Sequence, residues 1–305
     1  GRDGVSELEV RFGTARGMRK ITRLEYDAVV KRLVSDGFMI TNSQYYLRIN
    51  SEFVDNRGVT KISRIRAELS GLGNISEYCR TNDIRPFFDR GGVTFMEKSA
   101  MKQDDTNIDS YDAPDFNFRV ALSNEKDLRS SRLVQGIINS WKDTKKVFRY
   151  LSRHQLTHPD LPFTVDVTVV KSSAREGRYP KPTFTFDEAR VAYSPESFEI
   201  EIEVDNDRVG QVSEFSQPPK LSAALRRGIR LVLSGLQGTN FPVSYSEQQQ
   251  LLGEYMTILW GKESDGKRVY PSNFVGPSSF TLQVQNIAPI NDDANIPNIR
   301  DSFTV

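Results

Sequence analysis

The chain has 305 residues, 37% of them hydrophobic, a net charge of +1, one cysteine and two histidines. This is enough apolar material for one large or two small domains. It excludes an intrachain disulfide, leaves little for a zinc site or a histidine-based triad, and contains no apolar run of about 18 residues that could span a membrane. Near-neutral net charge confines any basic site for phosphate or nucleic acid to a local patch balanced by acids elsewhere. A lone thiol, Cys79, fits a reducing compartment.

Residues 5–13 alternate as a strand, with Glu7, Glu9 and Arg11 on one face and Leu8, Val10 and Phe12 on the other. Thr22-Arg-Leu-Glu25 reads as a capping box, followed by Tyr26, Val29, Val30, Leu33 and Val34 at helical spacing, with Gly37 as the stop. From Phe38 to about Leu69 the pattern is strand-like, broken by a turn at Asp55-Asn-Arg-Gly58, and Arg64 and Arg66 share a strand face. Strands are expected at Val93–Lys98 and Phe116–Leu122, carrying Lys98 and Arg119, then a helix over 125–143. Lys145–Arg153 places Arg149 and Arg153 on one strand face, and Phe163–Val170 places Asp166 and Thr168 opposite three valines. Phe198–Val204 then repeats the opening pattern, with Glu199, Glu201 and Glu203 on one face and Ile200, Ile202 and Val204 on the other. Helices are expected at Leu221–Leu236 and Ser246–Trp260. From Gly261 the chain is rich in Gly, Pro, Asn and Ser, with one strand candidate at Ser279–Val284.

Eight half-polar strands could form an open antiparallel sheet with one wet face. Their polar face carries rows of Glu and Arg, however, where a wet face mixes Thr, Ser, Lys and Gln. A barrel with a charged lumen and an apolar exterior covered by helices explains this better. The expected fold is therefore α+β: an eight-stranded antiparallel barrel, or tunnel, packed by helices on the outside. Two acid rows need a counter-charge, and a hard divalent cation is the simplest one. Arginine forks match phosphate geometry, so acids, a metal and arginines together suit phosphoryl transfer. A solvated acidic face is the plainer alternative for either row taken alone.

Competing motifs are weak. Cys79-Arg-Thr-Asn-Asp-Ile-Arg85 has the Cys-x5-Arg spacing of cysteine phosphatases without their glycines, and Lys262-Glu-Ser-Asp-Gly266 is one residue too long for a nucleotidyltransferase Lys-x-Asp-Gly motif. No P-loop is present.

Glu7-x-Glu9-x-Arg11 and Glu199-Ile-Glu-Ile-Glu203 resemble the two acidic signatures of triphosphate tunnel metalloenzymes. Phe148-Arg-Tyr-Leu-Ser-Arg153 and Asp166-Val-Thr-Val-Val-Lys-Ser-Ser173, lying in order between them, resemble the RNA 5′-triphosphatase domain of mRNA capping enzymes of large DNA viruses. The resemblance spans roughly residues 5–260 and implies removal of the γ-phosphate from nascent RNA, the first step of mRNA capping. It implies Mn²⁺ or Mg²⁺ held by Glu7, Glu9, Glu201 and Glu203, with Arg11 and Glu199 completing the catalytic rows. It assigns phosphate binding to Arg64 or Arg66, Lys98, Arg119, Arg149 and Arg153, with Asp166 and Lys171 completing the wall. Lys171 is five residues from Asp166, so it needs a bulge to face the tunnel or else lies outside it. The expected domains are a triphosphatase at 1–260 and, at 261–305, a linker toward a guanylyltransferase domain. Expected partners are 5′-triphosphate RNA, that guanylyltransferase and a methyltransferase of the same polypeptide, in host cytoplasm, viral factory or virion. The alternatives are a polyphosphatase or nucleoside triphosphatase of the same fold, and a non-catalytic scaffold binding RNA or a capping partner.

Overall fold

The computed structural model describes residues 5–13, 19–103, 106–177, 179–212 and 214–261. The chain divides into two compact units, residues 1–248 and 249–305. The barrel and the helices packed on it belong to the first; of the second, residues 249–261 are described, most of them in the helix Tyr245–Trp260. The sequence candidates at Lys262–Gly266 and Ser279–Val284 lie outside the described residues.

Eight strands close on themselves: β1 (Val5–Phe12), β2 (Met39–Val54), β3 (Ile65–Ser70), β4 (Val93–Ala100), β5 (Phe118–Asp127), β6 (Lys146–Thr157), β7 (Phe163–Ser172) and β8 (Ser197–Val204). The order around the wall is β1-β8-β7-β6-β2-β3-β4-β5, and β5 pairs back with β1, every pairing antiparallel. Because side chains alternate along a strand, register decides which row faces in. Glu9 sits opposite Glu203 and Arg11 opposite Glu201; Asp166 sits opposite both Glu201 and Gln155; Arg48 sits opposite Glu68. The ionisable rows are therefore continuous around the lumen.

The apolar rows point outward and need cover. On one side Val10, Phe12, Val165, Ile200 and Ile202 pack with α1 (Arg23–Ser35) and α4 (Pro218–Gln237) through Val29, Leu33 and Val232, all buried. On the other, Leu47, Ile49, Leu69, Phe95 and Phe148 pack with α2 (Leu72–Thr81), α3 (Arg132–Asn139) and the short helical turn Arg85–Asp89 through Ile75, Tyr78, Phe87 and Val134. Two hydrophobic layers thus flank a hydrophilic tunnel. Among the described residues no helix is long and apolar enough to cross a membrane.

The capping box at Thr22 and Glu25 is formed in both directions. The helix expected over 125–143 forms only over Arg132–Asn139. Strand β5 continues to Asp127, because Glu125 is needed inside the lumen opposite Lys98, and helix starts only where the Ser131 side chain accepts from the Leu133 amide. Pro114–Phe116 forms a 3₁₀ turn, so β5 begins at Phe118. Helix α2 has only a short sequence signal, with Leu72, Ile75, Tyr78 and Cys79 at helical spacing.

Helices α1 and α4 cross closely at Gly235. A β-carbon there would stand 2.6 Å from Val29 Cα, a backbone atom with no rotamer to escape into. Gly235→Ala is expected to cost about 1–3 kcal/mol in chemical denaturation. Gly136→Ala, on α3 with nothing near the added carbon, is expected to be neutral or stabilising by about 0.5–1 kcal/mol. Equal effects at the two positions would refute this account of the helix crossing.

Candidate active site

The inward side chains form one chain of alternating charges that touches all eight strands. Arg153 Nη1 on β6 lies 2.8 Å from Asp166 Oδ2 on β7, and its Nη2 lies 3.6 Å from Glu201 Oε2 on β8. Glu201 Oε1 is 3.0 Å from Arg11 Nε on β1, and Arg11 Nη2 donates to Glu9 at 2.9 Å. Lys98 Nζ on β4 donates to Glu9 and Glu7 at 2.9 Å each and lies 3.9 Å from Glu125 on β5. Arg66 on β3 stands 3.5 Å from Glu125 and 3.7 Å from Glu68, which accepts from Arg48 Nε on β2 at 2.5 Å. Arg48 also acts electrostatically on Asp166 and Glu201 across the lumen, without an ion pair to either among the described residues. Toward one end a separate pair joins Arg149 Nη2 to Glu199 at 2.6 Å.

The acids respond differently to this field. Burial alone would raise Glu201, but Arg11, Arg153, Arg48 and Lys98 outweigh it and hold the carboxyl below the usual range. Asp166 is raised by burial despite Arg153, and Glu7 is raised by burial despite Lys98. Glu203 is pushed up to about 7, first by burial and then by repulsion from Glu7 and Asp166. Among the described residues it makes no hydrogen bond and no ion pair.

Of the residues singled out from the sequence, Glu7, Glu9, Arg11, Arg66, Lys98, Arg153, Asp166, Glu201 and Glu203 share the lumen. Glu199 and Arg149 lie nearer one end. Arg119 faces inward at the rim and is engaged by Asp112, its Nε 2.6 Å from the carboxylate. Arg64 lies in the bend before β3, so it leaves the Arg66 row and lines an outer cavity with Ser99 and Lys102. Lys171 faces outward opposite Tyr150 and donates to the Ala192 carbonyl at 3.2 Å, which places it outside the tunnel without a bulge. Three lumen residues were missed: Arg48, Glu68 and Glu125. Their signal was present, since Arg48 alternates with Leu47 and Ile49 as Arg11 does with Val10 and Phe12.

Cys79 lies on α2 outside the barrel, its thiol pushed up to about 11 by burial. Arg85 is held by Asp83 at 2.8 Å. The Cys-x5-Arg spacing therefore forms no phosphate loop and supplies no thiolate.

Among the described residues no three acid, histidine or cysteine side chains already stand as a metal-holding group; Lys98 lies between Glu7 and Glu9. The donor chemistry nevertheless fits a hard divalent cation. Glu9 and Glu203 face each other across β1 and β8, Glu7 is beside them, and Glu203 has no cation of its own. Glu7, Glu9, Glu68, Glu125, Asp166, Glu199, Glu201 and Glu203 share the lumen with Arg11, Arg48, Arg66, Lys98, Arg149 and Arg153, with Arg119 at the rim.

No family model and no curated protein matches the chain. Solved structures do. The chain is similar to RNA triphosphatases. The RNA triphosphatase domain of a trifunctional mimivirus mRNA capping enzyme matches with 15% identity over 76% of this chain and 91% of that one, at a TM-score of 0.47. The S. pombe RNA triphosphatase Pct1 matches with 12% identity over 77% and 84%, at 0.41. The PH1012 protein from Pyrococcus horikoshii matches with 10% identity over 78% and 93%, at 0.34. At likeness this distant, function has to be argued from the tunnel's own residues.

Folded Glu203 keeps its proton up to about pH 7, whereas an unfolded glutamate loses it near 4.3. Between these values the native state binds more protons, so this contribution to stability is full below the lower value and lost as pH rises through 7. Glu7 and Asp166 shift in the same direction. The chelated protein should therefore melt higher at pH 5.5 than at pH 8. Glu203→Gln should raise the midpoint at pH 8 by a few degrees, about 1–2 kcal/mol after allowing for solvent screening. A midpoint at pH 8 unchanged or lowered by that substitution would count against the burial of Glu203 among acids.

Proposed function

We propose that this chain is a metal-dependent RNA 5′-triphosphatase, removing the γ-phosphate of nascent RNA and leaving a 5′-diphosphate end. The observation that carries the reading is the chain of alternating charges touching all eight strands, with one acid, Glu203, in no ion pair among the described residues. A tunnel of this kind suits a short polyanion accompanied by a divalent ion, and suits apolar or cationic ligands poorly.

Glu7, Glu9 and Glu203 would hold Mn²⁺ or Mg²⁺, with Glu201 the fourth carboxylate beside them. When bound, such an ion neutralises phosphate oxygens and lowers the pKa of attacking water. The chain's own groups supply the rest. Arg149, Arg153, Arg66 and Arg48 present guanidinium forks to phosphate oxygens. Each is already paired with an acid of the wall, which fixes its direction before substrate arrives. Glu201, kept ionised between Arg11 and Arg153, is a positioning residue for both. The oxygen of a water attacks the γ-phosphorus in line, the bond from that phosphorus to the β,γ-bridging oxygen breaks, and orthophosphate leaves. Lys98 and Arg153 stabilise charge on the departing diphosphate, and a glutamate of the wall not engaged with the ion takes the water proton.

In a capping pathway the diphosphate end is the substrate of a guanylyltransferase. Residues 1–260 are proposed as the triphosphatase domain and 261–305 as the approach to that second activity in the same polypeptide.

Release of labelled γ-phosphate from 5′-triphosphate RNA should require Mn²⁺ or Mg²⁺ and stop with chelator. Glu9→Ala and Glu203→Ala should each lower kcat by about 10²-fold or more if a ligand of the ion is worth several kcal/mol in the transition state. Cys79→Ser should be neutral. Release that persists in chelator, or survives both glutamate substitutions, would overturn the assignment; faster turnover of free triphosphate than of RNA would favour a polyphosphatase or nucleoside triphosphatase.

A further inference from the structure

An eight-stranded barrel is about as wide as the side chains that fill it, and this lumen is filled by its ion pairs. A triphosphate matches these guanidiniums and a neutral nucleobase does not, so the nucleosides of a polynucleotide substrate are best placed at a mouth, and the two mouths differ. The one where β1 starts and β8 ends carries Glu7 and Glu203. The opposite one carries two ion pairs, Arg149 with Glu199 and Arg119 with Asp112. Beside this second mouth lies a cavity of about 670 Å³, bounded by the ends of β7 and β8 and the 3₁₀ turn Val191–Tyr193.

Four observations describe this cavity. Its inner wall includes Ser172 and Ser197; Ser172 is the register partner of Arg149, and Ser197 precedes Glu199 on the same strand face. Its outer wall carries Lys20, Arg175 and Arg190 against one acid, Glu196, which lies 3.6 Å from Arg23. Tyr193 stands over it 85% exposed, a large ring with nothing covering it. Arg190, held at φ +52, brings its guanidinium to 5.9 Å from the Tyr193 ring. An exposed ring, a guanidinium plane beside it, cations in no ion pair among the described residues, and hydroxyls are the parts from which single-stranded nucleic acid sites are built.

We propose that this cavity is the docking site for the first nucleotides of single-stranded RNA behind the triphosphate. A base stacks on Tyr193 with Arg190 beside it. Arg175 and Lys20 take the phosphodiester oxygens. The 5′-terminal phosphates then pass Arg149 into the tunnel. The inference rests on the RNA triphosphatase reading and gives its substrate a direction of entry.

The test uses the full chain with two measurements. Fluorescence anisotropy follows binding of a labelled single-stranded RNA ten-mer bearing a 5′-hydroxyl. Steady-state kinetics compares 5′-triphosphate RNA with inorganic tripolyphosphate. Tyr193→Ala should weaken ten-mer binding roughly ten-fold, as expected for loss of one stacking platform, while Tyr193→Phe retains it. Arg175→Ala should weaken binding and reduce the slope of log affinity against log salt by about one. Both alanine variants should raise KM for triphosphate RNA and leave tripolyphosphate hydrolysis and melting temperature unchanged. Wild-type protein that does not bind the ten-mer, ten-mer affinity unchanged in both alanine variants, or equal losses on RNA and tripolyphosphate would overturn the proposal. If the wild type hydrolyses no triphosphate yet binds the ten-mer through Tyr193, the activity reading fails and the docking site stands. If it hydrolyses triphosphate RNA with no dependence on Tyr193 or Arg175, the docking site alone fails.

Discussion

Everything in this barrel depends on keeping opposite charges adjacent inside it. Charges taken out of water are costly, and pairing recovers that cost only when every member has a partner in reach. The wall achieves this by alternation. From Asp166 through Arg153, Glu201, Arg11, Glu9, Lys98, Glu125, Arg66 and Glu68 to Arg48, each acid touches a base and each base an acid. The period-2 strand supplies one or two such side chains per crossing, and antiparallel register brings the next within range. No single pair is strong evidence of stability. Together they fix the direction of every arginine before any ligand is present.

A lumen of this kind cannot hold the fold together by hydrophobic burial, so the apolar faces point outward and the helices become obligatory. Two separate layers result, one under α1 and α4 and one under α2 and α3. Close approach of α1 and α4 at Gly235, and of α4 to Phe163 at Gly228, shows how tightly the first layer is drawn onto the wall. The rigidity that positions the inward charges comes from this outer packing.

Glu203 breaks the alternation. It faces Glu9 across two strands and lies near Glu7 and Asp166, with Arg153 and Lys98 acting on it only at a distance. A carboxyl in that position is poised between holding a proton and holding a cation. At the Arg149 end the charges are paired, Arg149 with Glu199 and Arg119 with Asp112, so the two ends of the lumen differ. That asymmetry suits an extended polyanion entering at the paired end with its terminal phosphate directed toward the acids and a bound cation.

The sequence by itself determined the strands, their polar and apolar faces and the α+β barrel class, because alternation is local and each row is written in a single stretch such as Glu199–Val204. It also determined the capping box at Thr22, whose partners are three residues apart. Tertiary structure decided what local pattern could not. Strand β5 extends through Glu125 because Lys98 and Arg66 await it across the barrel, where local sequence suggested helix. Lys171 turns outward to Ala192, and Arg64 drops out of the row that Arg66 keeps. Arg48 and Glu68 read as ordinary strand charges, and Glu125 as part of a helix, until closure makes them neighbours of the acidic rows. Which acid would lack a cation was equally invisible, since Glu199, Glu201 and Glu203 are equivalent in sequence. Only the register of β8 against β1, β7 and the arginines of β6 separates them, because an electrostatic environment is set by distances between strands that the chain reaches only on folding.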